Sequence, residues 1–507
     1  MVNCVILYGN SDFPTGPKAA GPFRIASELR DNGYTVQTID IAIFKKLDKD
    51  LKDILTKFVG VETLWIGISV TFLHKILSYP FSLQLIDDER YKSLNFETLE
   101  EEIHKLISFV RSINPKIKMI YGGARNYRLD KLGFIKFEKY VDKEIVDFTN
   151  WLAGKSNKID LQFYSNHIVG KEFEGFTKSS IKYTKSDIID SKDVLPLELS
   201  RGCIFKCKFC SYPLNGKTKG EWIKQSHVLK EELKRNYNDF GVTNYSFTDD
   251  TYNDSVDKLK ILYDEVYSKL SFKIKFATYI RLDLLTTFPE TLKILKESGL
   301  KSAVCGIEST NPKSAKSIGK GMDPKRQLDF VREIKQDVWK DILISGNFII
   351  GLPHDTKETI DDFESWLLSS SNPLDYWYVF PLGIFPSYTK KSYYQSEFDL
   401  NYEKYGYEIL DSSSEFWKVS GWVNKNTGLD YDYCTARSKE IRRKSSFTNW
   451  KFGGWLWTFY QEIVNDYDIT NLSQSEIIKK YDLLSFRNNK VNDYIDQLKN
   501  INHVIEK

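Results

Sequence analysis

Cys203, Cys207 and Cys210 stand in a C-x3-C-x2-C run and make up half of the six cysteines in a chain of 507 residues. So few cysteines over such a length form no disulfide framework, and a reducing compartment keeps them as thiols. Clustered thiolates hold metal. Iron–sulfur clusters are bound by cysteine thiolates, four as a rule. Three close ones can hold three irons of a 4Fe–4S cubane and leave the fourth iron open to an outside ligand. Zinc is a second reading; it usually wants four closed ligands, and His227 is the nearest histidine in sequence. Buried structural cysteines are a third.

Other residues with chemistry follow apolar runs downstream. Asp249 and Asp250 lie in the stretch from Phe247 to Asn253. Carboxylates accept hydrogen bonds from an ammonium or hydroxyl ligand, although either residue also reads as a helix cap. Arg281 could pair bidentately with a ligand carboxylate or structurally with Asp283 or Glu308. Gly306, Glu308 and Ser309 close another run, with Lys320 beyond it. Gly351-Leu352-Pro353-His354-Asp355-Thr356 closes the next, where Asp355 or Thr356 also suits a helix N-cap.

These groups need a scaffold that brings strand ends together. Residues 2–8, 35–39, 64–70, 117–121 and 137–141 read as strands separated by helical segments such as 23–30. Apolar strands alternating with helices predict a parallel sheet covered on both faces. The first 155 residues are therefore expected to form a doubly wound α/β domain, with its ligand crevice at the carboxyl ends of the strands. Residues 156–192 are polar and poorly patterned, and read as a linker with some extended structure. A second series runs over residues 193–398. Its strands are expected at 195–200, 243–248, 274–279, 302–307, 343–350 and 375–380, and its helices at 226–239, 254–269, 288–298, 324–336 and 356–368. Six strand–helix repeats predict a full or partial βα barrel, whose active site would gather at the carboxyl ends of its strands. The motifs above fall at those ends. Residues 399–507 are aromatic-rich, with Trp417, Trp422, Trp450, Trp455 and Trp457, and read as mostly helical.

Composition narrows the class. The net charge is +3, from 72 basic and 69 acidic residues, so nucleic-acid binding over a broad surface is not indicated. No run of 18 apolar residues predicts a membrane span, and the opening residues lack a signal-peptide pattern. A cytoplasmic protein is expected. Lys206, Lys208, Lys217 and Lys219 surround the cysteine loop and read as a solvated face, or as a dock for an acidic partner.

The cysteine spacing, with the aromatic Phe209 before Cys210, resembles the signature of the radical S-adenosylmethionine (SAM) superfamily. The strand-end motifs, in this order behind it, resemble that family's over residues 195–395. The resemblance implies that SAM chelates the open iron through its amino and carboxylate groups. One electron from the reduced cluster then releases a 5′-deoxyadenosyl radical. It implies SAM contacts from Phe209, Asp249, Asp250, Arg281, Gly306, Glu308 and Ser309, and a flavodoxin- or ferredoxin-type electron donor. His354 and Asp355 depart from the family's Gly-Glu. An α/β domain ahead of the barrel resembles the cobalamin-binding branch, which implies methyl transfer to a small-molecule or peptide substrate. Gly122-Gly123, residues 139–144 and the strand end Gly67-Ile68-Ser69-Val70 fit that branch. Its Asp-x-His-x-x-Gly motif is missing, the loop from Gly9 to Gly16 standing in its place, and an insertion at 75–96 also departs. A cofactor-free supporting domain, with oxidation, cyclisation or rearrangement as the chemistry, is the alternative. A non-catalytic zinc- or cluster-stabilised binding protein is the reading from another class.

Overall fold

The computed structural model describes residues 1–9, 18–44, 47–70, 97–123, 129–138, 142–157, 163–164, 167–169, 176–212, 214–386, 395–411, 421–445 and 483–502. The loop at 10–17, the insertion at 75–96, residues 139–141, and Trp417, Trp450, Trp455 and Trp457 lie outside them. The chain divides into two compact units. One comprises Met1–Pro196, Arg235–Val242 and Asp482–Lys507, the other Leu197–Lys234 and Thr243–Tyr481.

The first unit is built on strands β1 (Cys4–Tyr8), β2 (Val36–Asp40), β3 (Trp65–Ser69), β4 (Lys118–Gly122), β5 (Ile135–Glu138), β6 (Phe163–Tyr164) and β7 (His167–Val169). Their order is β2-β1-β3-β4-β5-β7-β6. All neighbours are parallel except β6 and β7. Every residue of β1 and β2 is buried, because helices α1 (Ala20–Asp31), α2 (Lys49–Phe58), α3 (Glu97–Ile113) and α4 (Asp142–Leu152) cover the sheet. Trp65 reaches α4, and its indole N–H donates to Thr149 Oγ1 at 2.9 Å. The order reverses between β1 and β3, the switch point at which doubly wound sheets bind ligands.

Two segments join this unit that the sequence pattern did not assign to it. Within 156–192, expected as a linker, β6 and β7 extend the sheet. Asp187 takes a bidentate pair from Arg30 at 2.7 and 2.8 Å and a hydrogen bond from Thr38. The C-terminal helix, Leu483–Asn500, sends the Tyr494 hydroxyl to the end of β2, where it accepts from the Asp40 N–H at 3.0 Å.

The second unit carries six parallel strands in the order β13-β12-β11-β10-β9-β8. They are β8 (Val194–Leu197), β9 (Asn244–Phe247), β10 (Lys275–Ile280), β11 (Leu300–Glu308), β12 (Leu343–Ile350) and β13 (Tyr376–Pro381). The helices of the series follow the expected pattern: α5 (Ser226–Phe240), α6 (Val256–Ile261), α7 (Leu282–Thr287), α8 (Glu290–Glu297), α9 (Pro312–Ser317), α10 (Pro324–Gln336) and α11 (Lys357–Leu367). One sheet face is aromatic and meets the helices: Phe247 and Phe276 pack with Tyr252, and Phe348 with Phe363 and Trp366 of α11. The other face begins with small residues. There Ser302 and the Tyr376 hydroxyl, two strands away, lie 2.6 Å apart. This is the partial barrel that the strand–helix alternation predicts.

Beyond the barrel, α12 (Glu397–Asn401) and α13 (Tyr431–Ser445) flank a hairpin absent from the sequence reading, β14 (Tyr407–Asp411) with β15 (Gly421–Asn424). Trp422 and Tyr407 are buried. Trp422 donates to the Leu382 carbonyl at 2.9 Å and Tyr407 to the Gly351 carbonyl at 2.7 Å.

Candidate iron–sulfur and SAM site at the strand ends

The cysteine loop leaves β8 and is held from below by one carboxylate. Asp249, fully buried at the end of β9, accepts from the Leu199 N–H at 3.0 Å, the Ser200 N–H at 2.7 Å and the Ser200 hydroxyl at 2.6 Å. Two backbone donors that would otherwise be orphaned are thereby satisfied. Burial raises the Asp249 pKa; Lys258 and the Ser200 and Leu199 donors oppose that rise. Among the expected SAM contacts, Asp249 is thus placed beneath the loop, as its support.

The loop then closes on itself. The Cys203 N–H donates to the Leu214 carbonyl, and the Cys203 carbonyl accepts from Gly216 and Lys217. Gly202 has φ +76°, and a Cβ there would lie 2.4 Å from Leu214 Cβ and 2.7 Å from its carbonyl oxygen. Only glycine fits that approach. The same turn carries Lys217 inward, where it is buried and donates to the Glu221 carbonyl. It does not belong to the solvated face expected of it; Lys206 and Lys219 are exposed.

None of the three cysteines is disulfide-bonded. Cys203 is buried, with Thr251 Oγ1 at 3.1 Å and the Phe205 N–H donating to its sulfur at 3.5 Å. Burial raises the Cys203 thiol pKa against those two bonds and pushes Cys210 up to about 11. Metal would have to displace these protons. Cys207 faces Arg281, whose Nη1 lies 3.7 Å from its sulfur. Phe209 is half-buried on the same loop. Among the described residues no three His, Cys, Asp or Glu side chains converge as one metal ion would need. A cubane asks for something different, one thiolate at each of three separate irons, and the donor set fits it.

Around the loop stand the ends of β9, β10 and β11. Asp250 is pushed up to about 7 by burial and the neighbouring Asp249 charge, against Lys217. Arg281 gives Nε and Nη2 to Asp283 at 3.0 and 2.5 Å, the structural pairing among the alternatives. Glu308 lies past a bulge in β11, at φ +70°. Its carboxylate is 3.4 Å from Lys320 Nζ, which also donates to the Gly306 carbonyl at 2.7 Å. Burial raises the Glu308 pKa, and Lys320 and then Arg281 hold it down. Ser309 accepts from the Asn311 N–H, so its hydroxyl proton is available to another acceptor. Asp355 is pinned inside its turn by Gly351, Leu352 and Ser314. The sequence reading missed Thr251, Phe205 and Asn253. Thr251 and Asn253 lie in the Asp249-Asp250 stretch and Phe205 in the cysteine run, but none of the three was given a role.

Residues 197–367 match the family model of the Radical SAM superfamily, so this part of the chain is a domain of that superfamily. Among curated proteins it is 29% identical over 191 residues to the uncharacterized methyltransferase PH0819 of Pyrococcus horikoshii, covering 34% of this chain and 39% of that one. It is 26% identical over 189 residues to the bacteriochlorophyllide d C-8(2)-methyltransferase of Chlorobaculum tepidum, covering 36% and 40%. The matched part thus spans about two fifths of each relative. Among solved structures, the radical SAM methyltransferase TsrM of Kitasatospora setae, with tryptophan substrate and a SAM analog bound, aligns over 91% of this chain and 88% of its own, with TM-score 0.55 and 13% identity. The cobalamin-dependent SAM radical enzyme OxsB, with aqua-cobalamin and SAM bound, aligns over 98% and 71%, with TM-score 0.53 and 15% identity. At these identities the likeness is one of fold.

Proposed function

We propose that this chain binds a 4Fe–4S cluster through Cys203, Cys207 and Cys210, cleaves SAM reductively at it, and uses SAM to methylate a small-molecule or peptide substrate. The observation that carries the reading is the three unbridged thiols on one loop, ringed by the polar strand ends of β9, β10 and β11. When bound, the reduced cluster supplies one electron to the SAM sulfonium and so yields a 5′-deoxyadenosyl radical. The chain's part is to position and shield. Asp250 and Glu308 offer acceptors for an ammonium or ribose hydroxyl, Ser309 offers a donor, and Gly306 leaves the space into which Glu308 folds. Asp249 fixes the loop from beneath.

Methyl transfer is supported by the methyltransferase names of both curated relatives. Cobalamin is supported by the doubly wound sheet, in which β3, at the switch point, ends in Ser69 and its neighbour β4 ends in Gly122, followed by Gly123. No His ligand comes from the Asp-x-His-x-x-Gly motif, which the sequence lacks. Exposed Lys206 and Lys219 suit an acidic electron donor of the flavodoxin or ferredoxin type. A reducing cytoplasm suits the free thiols.

Anaerobic reconstitution with iron and sulfide tests the reading. The expected result is one site-differentiated 4Fe–4S cluster and 5′-deoxyadenosine release from SAM under dithionite. A protein that takes up only zinc, or a cluster that leaves SAM intact, refutes it. For the cobalamin arm, incubation with hydroxocobalamin and desalting should retain one equivalent. Loss of all cobalamin from folded protein would leave the first unit a supporting domain.

A further inference from the structure

Arg281 is held from every side. Its backbone N–H donates to Asn253 Oδ1 at 2.9 Å, and its carbonyl accepts from Asn253 Nδ2 at 3.0 Å. The guanidinium carbon lies 3.6 Å from the centroid of the Phe205 ring, and Phe205 is itself part of the cysteine loop. Nε and Nη2 are taken by Asp283. Those restraints leave Nη1, the opposite edge of the fork, directed at the Cys207 sulfur. The side chain is 12% exposed, so water screens this charge little. A SAM carboxylate would have to displace Asp283 to claim the fork.

We propose that Arg281 is a positioning residue that sets the reduction potential of the cluster, by holding a positive charge and an N–H against the Cys207 thiolate. This rests on the cluster reading given above. Reduction adds one negative charge to the cluster. A fixed cation and a hydrogen bond to a ligating sulfur stabilise the reduced form more than the oxidised one, and such contacts are among the terms that tune these centres. Asp283 acts in two ways. It orients the guanidinium, and from the far edge its carboxylate offsets part of the positive charge.

Potentiometric titration of the reconstituted protein, followed by electron paramagnetic resonance without SAM, reads this directly. Arg281→Met should shift the reduction equilibrium at least tenfold toward the oxidised cluster, which is 59 mV for one electron. Arg281→Lys should shift it less. Asp283→Asn should shift it the other way, because the opposing charge is gone while the fork keeps a partner. A merely structural role would lower cluster occupancy and leave the potential of the loaded fraction alone. Should Arg281→Met assemble no cluster, the signs of the other two variants decide. An unchanged potential in fully loaded Arg281→Met, or a change confined to SAM affinity, overturns the inference while the cluster reading stands. A wild-type chain that assembles no cluster overturns both.

Discussion

Glu308 and Lys320 show what the site demands of single residues. The pair is nearly buried, with side-chain exposures of 10% and 8%, and burial alone pushes the carboxyl pKa up. Such a pair adds little net stability, yet removing one partner strands the other. Lys320→Met should therefore destabilise the second unit by about 3 kcal/mol, the low end for a broken buried pair. Adding Glu308→Gln should restore more than half of that loss, since the uncompensated charge is gone. Urea denaturation of the four proteins of the cycle measures the coupling; additive losses would mean that the two groups do not share their charge. Glu308 was legible in the sequence as a strand-end carboxylate. Its left-handed backbone was not, because the bulge arises from pairing with β12, and no local signal specifies that.

At the scale of elements, the loop and the turns decide whether the site forms. Gly202→Ala forces a Cβ to within 2.4 Å of Leu214. The loop must open, and iron content after reconstitution should fall by more than half while the far-ultraviolet spectrum holds; full loading would show that the turn can relax. The Gly351–Thr356 turn carries a pH dependence. Burial lifts Asp355 to about 6, against hydrogen bonds from Ser314, Leu352 and Gly351. Its folded pKa exceeds the unfolded value of about 3.9, so the folded state holds the extra proton. The stability it contributes is full below about pH 4 and is lost as pH rises through about 6. Asp355→Asn should flatten the stability profile of the second unit between those limits, by about 1–3 kcal/mol at most; an unchanged slope would place the titration elsewhere. Legibility follows the same division. The cysteine run and the strand ends could be read because each sits in a local pattern. The choice of Asp283 over Glu308 as the partner of Arg281 could not, since it depends on Asn253 locking the backbone. Nor could the burial of Lys217, which follows from the turn at Leu214.

At the scale of the molecule, the C-terminal helix belongs with the N-terminal sheet, hundreds of residues away in sequence, and this carries a prediction of its own. Tyr494 is 4% exposed. Its hydroxyl accepts from the Asp40 N–H and pairs with Tyr8; burial and then the Asp40 charge raise its pKa far above the ordinary value, against those two hydrogen bonds. Leu498 on the same helix is fully buried, and Lys499 pairs with Asp50 at the start of α2. Tyr494 and Leu498, four residues apart on this helix, announce that it buries a face, but not which surface it will meet. Tyr494→Phe leaves the Asp40 amide without its acceptor, which should cost about 1–2 kcal/mol. Deleting residues 483–507 should cost more, because the apolar face is uncovered as well. Both losses should fall on the first unit, where opening of β1 and β2 is the local event. Hydrogen exchange by mass spectrometry separates the cases. Peptides from 1–9 and 35–40 should lose protection, while those from 197–234 and 300–308 keep theirs and the cysteine loop still takes up iron. Equal loss of protection across both sets would show that the two sheets unfold as one cooperative body.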